Sequence, residues 1–178
     1  MQDVDDTNSS GISYRGVLHV LVTPLATLPA EGELLAMNAA NELLLGGIRS
    51  LAEKPDIEDA DMLVLEMRRL DQKLSLALDL LNTLLRINDP LPPPQLVLLQ
   101  STRMVLQTSL VDAVCYQIEL FLDPSIPKAL KLAGRPVAGA PGEEGVTLEF
   151  LGVGQNVTDG LDKFLFRQHR RQVAQRLK

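Results

Sequence analysis

The spacing of apolar positions changes along the chain, and each spacing predicts a different element. Residues 14–22 are apolar and rich in β-branched side chains and stop at Thr23-Pro24, which predicts a strand. Residues 34–51 follow helical spacing, interrupted by Gly46-Gly47 and closed before Pro55. Residues 59–88 hold neither glycine nor proline and are rich in Leu, Met, Glu, Lys and Arg, so they predict one long helix. The run Pro90-Leu91-Pro92-Pro93-Pro94 stops it. Beyond that run the spacing turns to alternation. Residues 95–100, 104–108, 114–122, 128–137 and 146–153 read as short strands separated by Gly- and Pro-bearing turns. In the third, Val114, Tyr116, Ile118, Leu120 and Leu122 share a face, opposite Cys115, Gln117 and Glu119. Such a set implies a small antiparallel barrel or sandwich, hence an α+β fold. A last helix is expected over residues 159–177, anchored by Leu161, Phe164, Leu165 and Phe166, with Thr158 as its N-cap. Residues 1–11 are polar and expected to form a flexible N-terminus, leaving 12–177 as one domain with a helical insertion over about 34–88.

Within the long helix the leucines fall into heptads. With Met67 at position a, the a positions are Met67, Leu74, Leu81 and Asn88, and the d positions are Leu63, Leu70, Ala77 and Leu84. The e positions are Val64, Asp71, Leu78 and Leu85; the g positions are Glu66, Lys73, Leu80 and Ile87. Charges flank the seam in the first half, whereas in the second half the a, d, e and g positions are nearly all apolar. One partner helix cannot cover so wide a face. The pattern favours a higher-order bundle, or a seam on one side with docking against the barrel on the other. A core helix buried within its own chain is the plainer alternative. The oligomerisation candidates are Leu63, Met67, Leu70, Leu74, Ala77, Leu78, Leu81, Leu84 and Leu85.

Composition sharpens this picture. Apolar residues make up 46% of the 178, enough for a sizeable core, while aromatics are 3% and tryptophan is absent. Leucine alone supplies 35 residues. No apolar run approaches the roughly 18 residues that span a bilayer, the acidic start is no signal peptide, and the lone Cys115 cannot form an internal disulfide. These features point to the cytoplasm. Net charge is −6, yet residues 163–178 carry six basic and no acidic side chains. The remaining 162 residues therefore hold 11 basic and 23 acidic ones, a net of −12. A body so acidic disfavours nucleic acid as a partner, and the last helix lacks the apolar stripe a membrane surface would require.

No catalytic constellation emerges, so the chain is read as a non-enzyme. Ser101 has no nucleophile-elbow glycines around it, Cys115 alternates within a strand as buried filler, and Gly152-Val153-Gly154 lacks the third glycine and lysine of a phosphate loop. His19 and His169 are the only histidines, which argues against a metal site. The remaining chemistry sits in the C-terminal helix. Arg167, His169, Arg170, Arg171 and Arg176 complement the helix dipole, and their guanidinium forks also suit phosphate.

Three stretches carry a resemblance to a known family: Arg69-Leu70-Asp71-Gln72-Lys73-Leu74, Leu122-Asp123-Pro124-Ser125, and Phe166-Arg167-Gln168-His169-Arg170-Arg171-Gln172. With the strand-rich half, they make the chain resemble the atypical PilZ proteins of xanthomonad-type bacteria. The resemblance implies a six-stranded antiparallel β-barrel with a C-terminal helix, tetramers formed through a heptad helix, and a place in cyclic di-GMP signalling. PilZ receptors read that dinucleotide with R-x-x-x-R on an N-terminal loop and D/N-x-S-x-x-G on the first strand. Aligning the serine on Ser101 puts Leu99 where Asp or Asn belongs and Met104 where Gly belongs. No R-x-x-x-R precedes the strand; that spacing occurs at Arg167 and Arg171 instead. The expectation is a self-associating regulatory module, a homotetramer that contacts unidentified signalling proteins and needs no cofactor, with cyclic di-GMP binding disfavoured. The alternative is a genuine cyclic di-GMP receptor, with Ser101, Arg167, Arg170 and Arg171 as the candidate ligand-binding residues.

Overall fold

Alternation in the strands closes into a barrel. The computed structural model describes residues 12–52, 62–139 and 145–176. In chain order these form β1 (Tyr14–Leu25), α1 (Glu31–Ala52), α2 (Met62–Asn88), β2 (Pro94–Leu99), β3 (Arg103–Leu106), β4 (Cys115–Phe121), β5 (Leu130–Val137), β6 (Val146–Leu151) and α3 (Gln155–Arg176). The six strands pair in the order β1-β2-β3-β6-β5-β4, every pairing antiparallel, and β4 returns to β1. Closure removes the free sheet edges through which chains aggregate. Inward positions follow the two-residue period: Val97, Leu99, Ile118, Leu120, Leu130 and Leu148 are each at most 1% exposed. Outward positions carry ion pairs between register partners, Arg135 with Glu149 and Lys131 with Glu119. Gly134 is on the inner side, where a Cβ would come within 2.8 Å of the Ile118 side chain.

β1 runs past the expected stop at Thr23-Pro24. Its pairing with β2 ends at His19↔Pro94, and residues 20–25 continue beside β4 alone, with Pro24 opposite Tyr116. A proline with no N–H is tolerated where one side of the strand has no ladder to complete.

The last helix also starts earlier than expected. The carbonyl of Gly154 accepts the N–H groups of Val157 and Thr158, so Thr158 lies inside the first turn and is not the N-cap. Its hydroxyl donates back to the same carbonyl at 3.2 Å. Gly152, at φ 60°, turns the chain out of β6, a backbone conformation that suits glycine.

Helices α1 and α3 pack together over the barrel. Leu44, Leu45 and Ile48 from α1 join Leu161, Phe164 and Leu165 from α3 in the same buried cluster as the strand interiors. Each such leucine contributes about 1.5–3 kcal/mol through burial. Phe166 does not join them and stays 49% exposed, because it lies off the face that carries Leu161 and Leu165. Two asparagines one turn apart fix α1 to the strands. Asn41 donates to the carbonyl of Lys131 (2.7 Å) and accepts its N–H (3.0 Å), while Asn38 does the same with the Gly152 carbonyl (2.8 Å) and Gly154 N–H (3.0 Å).

Candidate functional site

Two features of the surface demand explanation, and the first is α2. Its strong helix formers carry it as far as Asn88, and the prolines that follow cannot continue it. His19 Nδ1 lies 2.7 Å from the Pro92 carbonyl and ties the proline run to β1. α2 meets the barrel near its C-terminal end. Arg86 Nη2 donates to the Ile126 carbonyl at 3.2 Å, and its guanidinium lies 5.0 Å from the centre of the Phe121 ring. Asn82, one turn earlier, is half-buried on the same side.

Those two residues occupy heptad positions b and f. The a, d, e and g positions therefore turn away from the barrel. Met67, Leu70, Leu74, Leu78, Leu81, Leu84 and Leu85 are each roughly half exposed or more, Ala77 is exposed, and Leu80 and Ile87 widen the face. The side chain of Leu63 lies outside the described residues. The helix is thus neither a core helix of its own chain nor a seam shared with its barrel, because its docking is polar. A contiguous apolar face left open in this way is of the kind that partners cover.

The second feature is the arginine side of α3. Arg167 and Arg171, one turn apart, line a cleft of about 150 Å³ together with Asp123, Gln168, Leu122 and Phe164. The family-like stretches 122–125 and 166–172 meet here. Asp123 is held in place by the Ser125 N–H (2.9 Å) and hydroxyl (2.6 Å), both donated to its Oδ1. Arg170 points elsewhere and lies 5.9 Å from the Phe166 ring centre. Ser101 occupies the turn between β2 and β3, which is closed by the Gln100 N–H to the Arg103 carbonyl, and it does not line the arginine cleft. Its neighbours at the motif positions, Leu99 and Met104, face each other across the β2–β3 ladder and are both fully buried.

Cys115 is buried, its thiol donating to the Thr27 carbonyl at 3.1 Å, and burial pushes its pKa up. Among the described residues no cluster of His, Cys, Asp and Glu has the make-up of a metal site, and no helix is long and apolar enough to cross a membrane. Sequence reasoning missed Arg86, whose only signal was a basic residue on the polar face just before a proline run. It also missed Arg49 on α1, which the fold brings beside Lys163 and Arg167.

Comparisons with known proteins agree with this architecture. Residues 43–178 match the family model described as "Atypical PilZ domain, cyclic di-GMP receptor". A crystal structure of a pathogenic protein from Xanthomonas campestris superposes with a TM-score of 0.70 at 25% identity, covering 93% of this chain and 92% of that one. That protein is described as a new tetrameric PilZ domain self-assembled via an unusual helical bundle. A search of curated proteins finds no match. With three-quarters of its length inside the family model and a barrel of the same fold, this chain belongs to the atypical PilZ domain family.

Proposed function

We propose that this chain is a non-catalytic PilZ-type module that assembles as a homotetramer through α2 and acts by protein–protein contact in cyclic di-GMP-linked regulation. The observation that carries the reading is the outward a/d/e/g face of α2, left bare because Arg86 docks from the opposite side, with Asn82 half-buried one turn before it. Wide apolar flanks at Leu78, Leu80, Leu85 and Ile87 call for more than one partner helix. The tetrameric helical bundle described for the Xanthomonas relative supports the same stoichiometry. In this reading the nucleotide motif is degenerate, since Leu99 and Met104 fill the barrel where a polar side chain and a bare backbone would meet a base. As part of a second-messenger pathway the module acts in the cytoplasm.

Light scattering tests the assembly. The wild type is expected at about four times the mass of one chain, and Leu74→Glu with Leu81→Glu is expected to give a smaller particle. A monomeric wild type would sink the reading.

A second reading, a true cyclic di-GMP receptor, draws on the meeting of Arg167 and Arg171 with Asp123 in one cleft. Isothermal titration separates the two. Binding tighter than about micromolar that Arg171→Ala abolishes would favour the receptor over the degenerate-motif module.

A further inference from the structure

The outer wall of the barrel is divided by chemistry. On β3, β6, β5 and β4 its outward positions carry charges in register: Arg103 and Arg135 flank Glu149, and Lys131 faces Glu119. On β1 and β2 the outward positions after Arg15 hold no carboxylate, lysine or arginine. Val17 (60% exposed) and Leu96 (36%) are register partners there, and Leu21 (46%) lies further along the same face of β1. His19 stands between Val17 and Leu21 with Nδ1 turned to the Pro92 carbonyl. Antiparallel strands that meet water ordinarily alternate apolar in and polar out. A single surface leucine is commonplace, but this wall breaks the alternation at three neighbouring positions.

The patch lies at the foot of α2. His19 is the register partner of Phe121, the ring beneath Arg86, and Val17 and Leu21 each lie about 7 Å along β1 from it. The last turns of α2 are also those in which its apolar face is widest, with Leu78 and Leu85 on one flank and Leu80 and Ile87 on the other. Packed helices run about 8–10 Å apart, so a helix seated on a flank there reaches the wall beside the foot of α2. We propose that the wall at Val17, Leu21 and Leu96 is covered by a second copy of the chain, as an interface in addition to the bundle. Continuity selects this occupant, because a copy held by the flanks of α2 is already within reach of the wall. The inference rests on assembly through α2 and goes beyond it. A bundle alone leaves each barrel placed by its own contact at Arg86, whereas a shared wall locks the barrels against their neighbours.

Hydroxyl-radical footprinting of the full chain reads coverage at each side chain. Val17, Leu21 and Leu96 are expected to oxidise several-fold more slowly in the wild type than in Leu74→Glu with Leu81→Glu, the variant expected to give a smaller particle. Val111, exposed on the connection from β3 to β4, is expected to oxidise alike in both. Val17→Lys with Leu96→Lys is expected to raise the concentration at which the assembly half dissociates by about tenfold, with circular dichroism unchanged. Val111→Lys is expected to leave that concentration where it is. A wild type that scatters as one chain overturns both the assembly reading and this one. A wild-type assembly whose wall oxidises as fast as the variant's, or that Val17→Lys with Leu96→Lys weakens no more than Val111→Lys does, overturns this one alone.

Discussion

Arg86 lies with its guanidinium 5.0 Å from the centre of the Phe121 ring while donating to the Ile126 carbonyl, and this contact sets the rotation of α2 on the barrel. A cation held over a ring and hydrogen-bonded beyond it contributes about 1–2 kcal/mol. Arg86→Ala is therefore expected to lower the melting temperature by a few degrees, read by circular dichroism. Arg86→Lys should not restore it, since an ammonium lacks the planar face that stacks.

The width of the α2 face makes a prediction about register. Leu76 and Leu78 are both about half exposed or more, but Leu76 is at c and Leu78 at e. In a four-helix bundle position e is covered and c stays near the rim. Leu78→Glu is expected to reduce the particle mass in light scattering about as much as Leu81→Glu, and Leu76→Glu to leave it intact. Equal loss from both would rule out the heptad register given above.

Asn41 is 2% exposed and completes both backbone groups of Lys131. Asn41→Leu keeps the branched shape and orphans a donor and an acceptor, at a cost of roughly 2–4 kcal/mol. The urea midpoint should fall with little change in slope. Asn41→Asp should also destabilise, because it loses the donor and adds a buried charge.

Two glycines that line one cleft between α1 and α3, Gly46 and Gly160, should respond in opposite directions. Gly46→Ala meets open space and is expected to stabilise by up to ~1 kcal/mol. At Gly160 a Cβ would come within 2.9 Å of the Leu45 side chain, so Gly160→Ala is expected to lower the melting temperature.

Burial raises the Cys115 pKa, and the sign of its effect on stability follows. The folded chain holds the thiol neutral, so its contribution is fully present below the ordinary thiol value near ~8.5. It is lost as pH rises from there through the raised value. Chemical denaturation should accordingly show declining stability across that alkaline window, absent in Cys115→Ala, and native Cys115 should react slowly with a thiol reagent.

Local sequence determined most of the elements. Alternation at Tyr116, Ile118 and Leu120 sufficed for β4, and the run of helix formers ended by prolines sufficed for α2, because period and backbone-breaking residues act over a few neighbours. The heptad assignment named an apolar face but left open whether it met the chain's own barrel. That was decided by Arg86 finding Phe121 and Ile126, residues 35 and 40 positions away in the sequence. The start of α3 was misplaced at Thr158 for a related reason. A threonine before a helical run resembles a cap, and only the turn at Gly152, with Asn38 reaching across from α1, fixes Gly154 as the first acceptor. The arginines were visible as a charged run, but their neighbours were not. Arg49, Asp123 and Gly46 come beside Arg167 only because α1 and α3 cross over the barrel, and long-range packing of that kind leaves no periodic trace in the chain.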